Sequence, residues 1–316
     1  MAGINGMGLT FNLPNFNGVL YGLTPEDTPL VSAIGALSGG GEPVYSKDFE
    51  WQTYDLRATE NPSHLEGQAA PTARERVRAS LSNVTQIFHS QVSVSYTKMA
   101  AIMQRNGLAN VQPTAQADEM TWQIQQELKA LKRDLEFVFL NGTFAKPADN
   151  TTARKTQGVL GAITTNVVAG GAVALTEAMV LDLMQATWTN GGIQESETAT
   201  LMCGAIQKRK LSKIFITDKG YSEDTRNVGG VNVQTIETDF GKLNIMLNRH
   251  MPAAQVALLS LESLKPRILM IPGKGFLFLE PLAKVGASDQ AQLYGEIGLE
   301  YGNELQHGKI TNLAIV

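Results

Sequence analysis

The chain has 316 residues, 43% of them hydrophobic and 18% charged, with a formal net charge of −4. That length allows one large domain or two moderate ones, with about 75% of the unfolded surface buried on compaction. The acidic balance argues against dominant phosphate-backbone binding, which needs clustered Lys and Arg, though a surface can still lie near nucleic acid, and the single cysteine, Cys203, excludes an intrachain disulfide.

Residues 1–47 read as an irregular arm rich in Gly, Asn and Pro with few charges. No basic residue precedes Lys47, so the charged start of a secretory signal is missing. A helix start is expected near Leu23, with Thr24 as cap, Pro25 in the first turn and Leu30, Val31 and Ile34 as anchors. Gly39, Gly40 and Gly41 mark a joint.

From Phe49 to Thr97 the sequence is strand-like. The outbound limb, Phe49 to Arg57, is rich in aromatic and β-favouring residues. The return limb, Arg74 to Thr97, alternates in two stretches. Arg74, Arg76 and Arg78 share one face, and further on Val92, Val94 and Tyr96 share another. The tip, 58–73, is broken by Pro62, Gly67 and Pro71. An isolated hairpin this open is marginal in water. It is either an ordinary piece of a larger sheet or an arm ordered on another subunit. The arginines are the candidate contact face, since Arg suits two-pronged pairing with carboxylates.

A long helix is expected from Thr114 to Leu140. Met120, Ile124, Leu128, Leu131, Leu135 and Val138 form one apolar stripe. The stripe lasts about three heptads among mixed charges, which favours packing on a sheet of the same subunit over a coiled coil. Residues 156–176 carry no charge, but their glycines, threonines and Asn166 are too polar for a membrane span. From Ala172 to Glu262 the pattern is mixed α/β. It comprises a helix capped by Thr176, a buried strand near Leu201, a basic helix from Gln207 to Phe215, a polar loop from Asp218 to Gly230, a hairpin turning at Asp239-Phe240-Gly241, and a strand at Ala257. Strands return at Phe276–Leu279 and from Gln292 to Ile315.

Chemistry-bearing constellations are missing. His64, His89, His250 and His307 are isolated in sequence, and no nucleophile elbow or phosphate loop occurs. Pro272-Gly273-Lys274-Gly275 reads as a turn. Glu296 and Glu300 are expected on one exposed strand face. Catalytic, cofactor and metal residues are therefore none, and the chain is not expected to be an enzyme.

The order of parts, arm, hairpin, long helix, α/β unit and returning strands, resembles the major capsid proteins of tailed bacteriophages. These have the α+β Hong Kong 97-type fold, and the likeness is narrowest to the SU-ten-like branch. It rests on Thr28-Pro29-Leu30, Glu50-Trp51-Gln52-Thr53, Glu66-Gly67, Asn83 to Phe88, Glu127-Leu128-Lys129, Arg133 to Glu136, Phe240-Gly241, Asn248-Arg249, Tyr301 to Glu304 and His307-Gly308. The resemblance implies an N-terminal arm (1–47), an extended loop (48–97), a peripheral domain with a spine helix (98–171), an axial domain (172–262) and returning peripheral strands (263–316).

It further implies pentamers and hexamers of the chain closing an icosahedral shell around double-stranded DNA. Scaffolding, portal and decoration proteins would be separate, and there would be no membrane. The chain would reside in the virion after assembly in the host cytoplasm. Candidate contacts between subunits are Trp51, Arg57, Glu66, Arg74, Arg76 and Arg78. No lysine lies between Arg57 and Tyr96, so the lysine–asparagine crosslink of some members is not expected. The rival readings are an encapsulin-type compartment and a soluble α/β enzyme.

Overall fold

The computed structural model describes residues 24–37, 41–56, 59–100, 119–193, 199–217, 224–228 and 231–315. Its elements run α1 (Pro29–Ala33), β1 (Glu42–Val44), β2 (Asp48–Tyr54), β3 (Arg78–Val84), β4 (Gln86–Ser95), α2 (Glu119–Asn141), α3 (Val159–Ala162) and β5 (Val167–Ala169). Next come α4 (Glu177–Thr189), β6 (Ala199–Cys203), α5 (Ala205–Leu211), β7 (Asp224–Val228), β8 (Val231–Thr238), β9 (Gly241–Leu247) and β10 (Val256–Leu259). The last four are β11 (Lys265–Leu269), β12 (Leu277–Pro281), β13 (Ser288–Glu300) and β14 (Gly308–Thr311).

Two sheets and one ribbon result. In the five-stranded sheet, β13 pairs with β4 along one edge, while β12 and β11 follow end to end along the other, with β1 parallel to β11. The seven-stranded sheet has the order β5-β14-β10-β6-β9-β8-β7. β2 and β3 pair only with each other.

Period-two alternation divides the core between the faces of the larger sheet. Leu201, Cys203, Ile245, Val256 and Leu258 point to α4 and α5, meeting Val180, Leu183, Met184 and Leu211. Met202, Met246, Ala257 and Leu259 point the other way, into the core that also holds Leu131, Leu135, Phe139 and Leu140 of α2. The central strand β6 is therefore buried at every position. Cys203 is a core residue, and burial pushes its thiol pKa up to about 12. The stripe of α2 packs on β4 and β13 through Leu128, Leu131 and Leu135, which share a small cleft with Phe88 and Ile297. Residues 114–118 of the expected helix lie outside the described residues.

Four readings need correction. The first helix starts at Pro29 rather than near Thr24, because Thr28 holds the extended position before it and Pro29 supplies the fixed φ of a first turn. The return limb is two strands. The ribbon ends at Val84, and β4 is an ordinary member of the five-stranded sheet because Phe88, Val92 and Val94 are buried there. From residue 96 the chain is helical, so Tyr96 leaves the strand face it was assigned. The stretch read as a polar loop contains β7, which completes a hairpin with β8.

Candidate assembly surface

The ribbon β2–β3 is fixed at its root by groups buried inside its own chain. Phe49 lies over Gly298, where an added Cβ would approach its ring to 2.6 Å. Trp51 stacks beside Phe49 (6.0 Å) and stands edge-on to Tyr301 (4.8 Å). The Trp51 indole N–H donates to Gly302 O at 2.7 Å. Asn83, with no exposed surface, uses both ends of its amide. Its Nδ2 donates to Leu299 O (2.7 Å) and Gln157 O (3.2 Å), and its Oδ1 accepts from Val84 N (2.8 Å) and Gln157 N (2.9 Å). Thr85 N donates to Lys47 O at 2.8 Å, closing the other limb.

Past this root the ribbon projects away from the described body. Every described residue from Tyr54 to Ser80 is exposed. Tyr54, Leu56, Leu65 and Val77 are 67%, 79%, 80% and 81% exposed. Covering each apolar side chain of this size is worth about 1.5–3 kcal/mol, so the four together rival the net stability of a domain. A short surface pair, Arg74 to Glu60 at 2.6 Å, ties the two limbs of the tip, a contact worth about 0–1 kcal/mol.

The candidate contact residues fall into separate environments. Trp51 is engaged with its own chain. Arg57 lies outside the described residues. Glu66 is exposed beside Gly67, whose φ of 76° makes the turn. Arg74 pairs with Glu60; Arg76 donates to Glu75 O; Arg78 donates to Gln52 Oε1. Arg76 and Arg78 thus have no carboxylate partner among the described residues.

Several buried polar groups at this surface are not evident from sequence pattern. Glu296 and Glu300 are 8% and 9% exposed, not on an open face. Arg154 pairs with Glu296 and also donates to Thr85 O (2.7 Å), while Arg267 bridges Glu300 and Glu42. A cleft of about 520 Å³ opens at the root, lined by Lys47, Asp48, Lys146, Arg154 and Lys155 among others. Glu136, on α2, accepts from Leu30 N (2.9 Å), Val31 N (2.7 Å) and Asn248 Nδ2, and so holds the first turn of α1. Burial pushes its carboxyl pKa up, against the pull of those three donors.

The segment Tyr301 to Gly308 joins the two sheets. Glu304 accepts from both Thr164 and Thr165, and Asn303 caps the short turn at Leu305 N. His307, fully buried, accepts from Ser260 N at Nδ1 (3.2 Å) and donates from Nε2 to Tyr301 O (2.9 Å). Burial lowers its pKa to about 4. Among the described residues no His, Cys, Asp or Glu cluster could hold a metal, and no helix is long and apolar enough to cross a membrane.

The fold of this α+β body matches that of the cyanophage A-1(L) capsid at a TM-score of 0.66 and 14% identity, covering 98% of this chain and 99% of that one. The SrpI encapsulin of Synechococcus elongatus matches at 0.59 and 11% identity, over 87% and 85%. These likenesses establish the Hong Kong 97-type fold.

The sequence profile of the SU10 major capsid protein family matches residues 3–314, and the chain belongs to that family. The major capsid protein of Escherichia phage Phieco32 is 35% identical over 121 residues, which is 38% of this chain and 30% of that protein. The matched segment thus spans about a third of that relative's length.

Proposed function

We propose that the chain is the major capsid protein of a tailed double-stranded DNA bacteriophage, tiling as pentamers and hexamers into an icosahedral shell. The observation that carries this reading is a ribbon with a buried root and an end whose described residues are all exposed, Tyr54, Leu56, Leu65 and Val77 among them. A monomer keeps that end in water at a standing cost; a lattice covers it, so stability belongs to the assembly. Residues 48–97 then reach the neighbour, 98–171 and 263–316 build the peripheral region around α2, and 172–262 form the axial region, with β14 and then β5 extending one edge of its sheet. Arg76 and Arg78, unpaired by any carboxylate among the described residues, are the favoured contacts, together with Arg57, Glu66 and Arg74.

The role is structural, without catalysis or cofactor. Scaffolding, portal and decoration proteins are separate partners; the DNA is held without sequence recognition; assembly takes place in the host cytoplasm, without a lysine–asparagine crosslink. Negative-stain microscopy of the expressed chain is expected to show closed shells. Reversing Arg74, Arg76 and Arg78 to Glu is expected to leave folded subunits that do not close. Normal shells from that variant would remove the arginines from the interface; a stable wild-type monomer with no shells would end the capsid reading. Shells that carry an enzyme and no nuclease-protected DNA would indicate a compartment instead.

A further inference from the structure

A second concentration of charge lies elsewhere, on α5 and the turn after it. Residues 199–217 hold four cations, Lys208, Arg209, Lys210 and Lys213, and no Asp or Glu, in a chain whose net charge is −4. Lys208 is half-buried and engaged within the chain. Arg209 and Lys213 are exposed, Lys210 is half-exposed, and none of the three forms an ion pair among the described residues. Several other arginines and lysines of the body are matched, as in Lys129 with Glu26, Arg249 with Asp27, Lys265 with Glu42 and Lys274 with Glu280.

Cations in a last helical turn complement the helix dipole, but Lys213 lies beyond α5 in the wider π-helical turn Ser212–Thr217. Crowded like charges on a helix repel, a cost that an anion laid across them removes. The inner side of α5 is tied down by Leu211 in the core and by Gln207, which donates to Ala253 O (2.9 Å) and Ala314 O (3.0 Å). The patch therefore sits on a rigid element, on the face of the seven-stranded sheet opposite α2.

The chemistry around the patch selects the partner. Among the described side chains of 199–214 no large apolar one is exposed, so these residues offer no desolvated apolar centre of the kind a protein interface needs. Unpaired Arg and Lys without apolar surroundings suit phosphates, which are held by charge and by counterion release.

We propose that Arg209, Lys210 and Lys213 contact the phosphates of duplex DNA, so that the α5 face of the chain lines the inside of the shell. The inside–outside assignment rests on the shell reading above; the DNA contact does not. The test is fluorescence anisotropy of unassembled full-length subunits with a mixed-sequence DNA duplex between 50 and 200 mM NaCl.

Arg209→Gln, Lys210→Gln and Lys213→Gln together are expected to flatten the slope of log affinity against log salt by about 2.7, at about 0.9 per phosphate contact. Arg209→Lys, which keeps the charge, retains the wild-type slope. Removing three charges from the ribbon with Arg74→Gln, Arg76→Gln and Arg78→Gln leaves the slope unchanged. An equal loss from both triple variants, or no loss from the α5 triple, overturns the proposal. So does salt-sensitive binding of polyglutamate with no binding of the duplex. Intact shells are expected to bind added duplex equally with and without the α5 triple. A difference there overturns the inward placement while leaving the contact, and microscopy of the same shells tests the capsid reading separately.

Discussion

Asn83 is the sharpest place to test whether the ribbon is held from its root. Substituting Ala removes four hydrogen bonds, with distances of 2.7–3.2 Å, at a position with no exposed surface. The backbone N–H groups of Val84 and Gln157 lose their acceptor, and Leu299 O and Gln157 O lose a donor. A buried group left unsatisfied costs about 1–3 kcal/mol, and partial relaxation of a four-bond site brings the sum to about 3 kcal/mol. In a chain of this size that lowers Tm by about 6 °C.

Calorimetry of unassembled subunits measures the shift directly. Asn83→Asp keeps the acceptors but loses both donors and buries a charge, so it is expected to fall at least as far. Gln52→Ala, on the exposed limb, is expected to stay within about 0.5 kcal/mol of wild type. An Asn83→Ala variant melting within 1–2 °C of wild type, at roughly 0.5 kcal/mol, would refute the rooted-ribbon argument.

Two further outcomes follow from the buried groups. Glu136→Gln offers one acceptor where Leu30 N and Val31 N occupy two oxygens; it is expected to lower stability by about 2 kcal/mol, read as Tm. Acid should weaken the fold through His307, whose pKa falls on folding to about 4 from an ordinary value near 6.5. Its contribution is complete above about pH 6.5 and is lost as pH falls through 4, to a limit of about 3 kcal/mol. His307→Gln is expected to flatten the stability profile across that window, and an unchanged profile would refute the assignment.

Much of the framework was legible because its signals are local. The stripe on α2, the cap at Thr176, the buried run at Leu201 and the turn at Asp239-Phe240-Gly241 each depend on residues within a few positions of one another, and each forms as read. The exposed tip was legible too, from Pro62, Gly67 and Pro71 between strand-like limbs.

Alternation shows that a segment is a strand but not which strand it joins. β4 continues the period of the ribbon, yet it leaves at Thr85 because β13 offers an edge two hundred residues further along the chain. β14 follows β13 closely and still enters the other sheet. Polar groups obey the same rule. Glu296 and Glu300 look solvent-facing until Arg154 and Arg267 arrive, and Glu136 looks like one charge among many on α2 until the first turn of α1 sits on it. Periodicity determines which side of an element is apolar; the partners that make a buried charge tolerable come from distant parts of the chain, and only folding brings them within hydrogen-bonding reach.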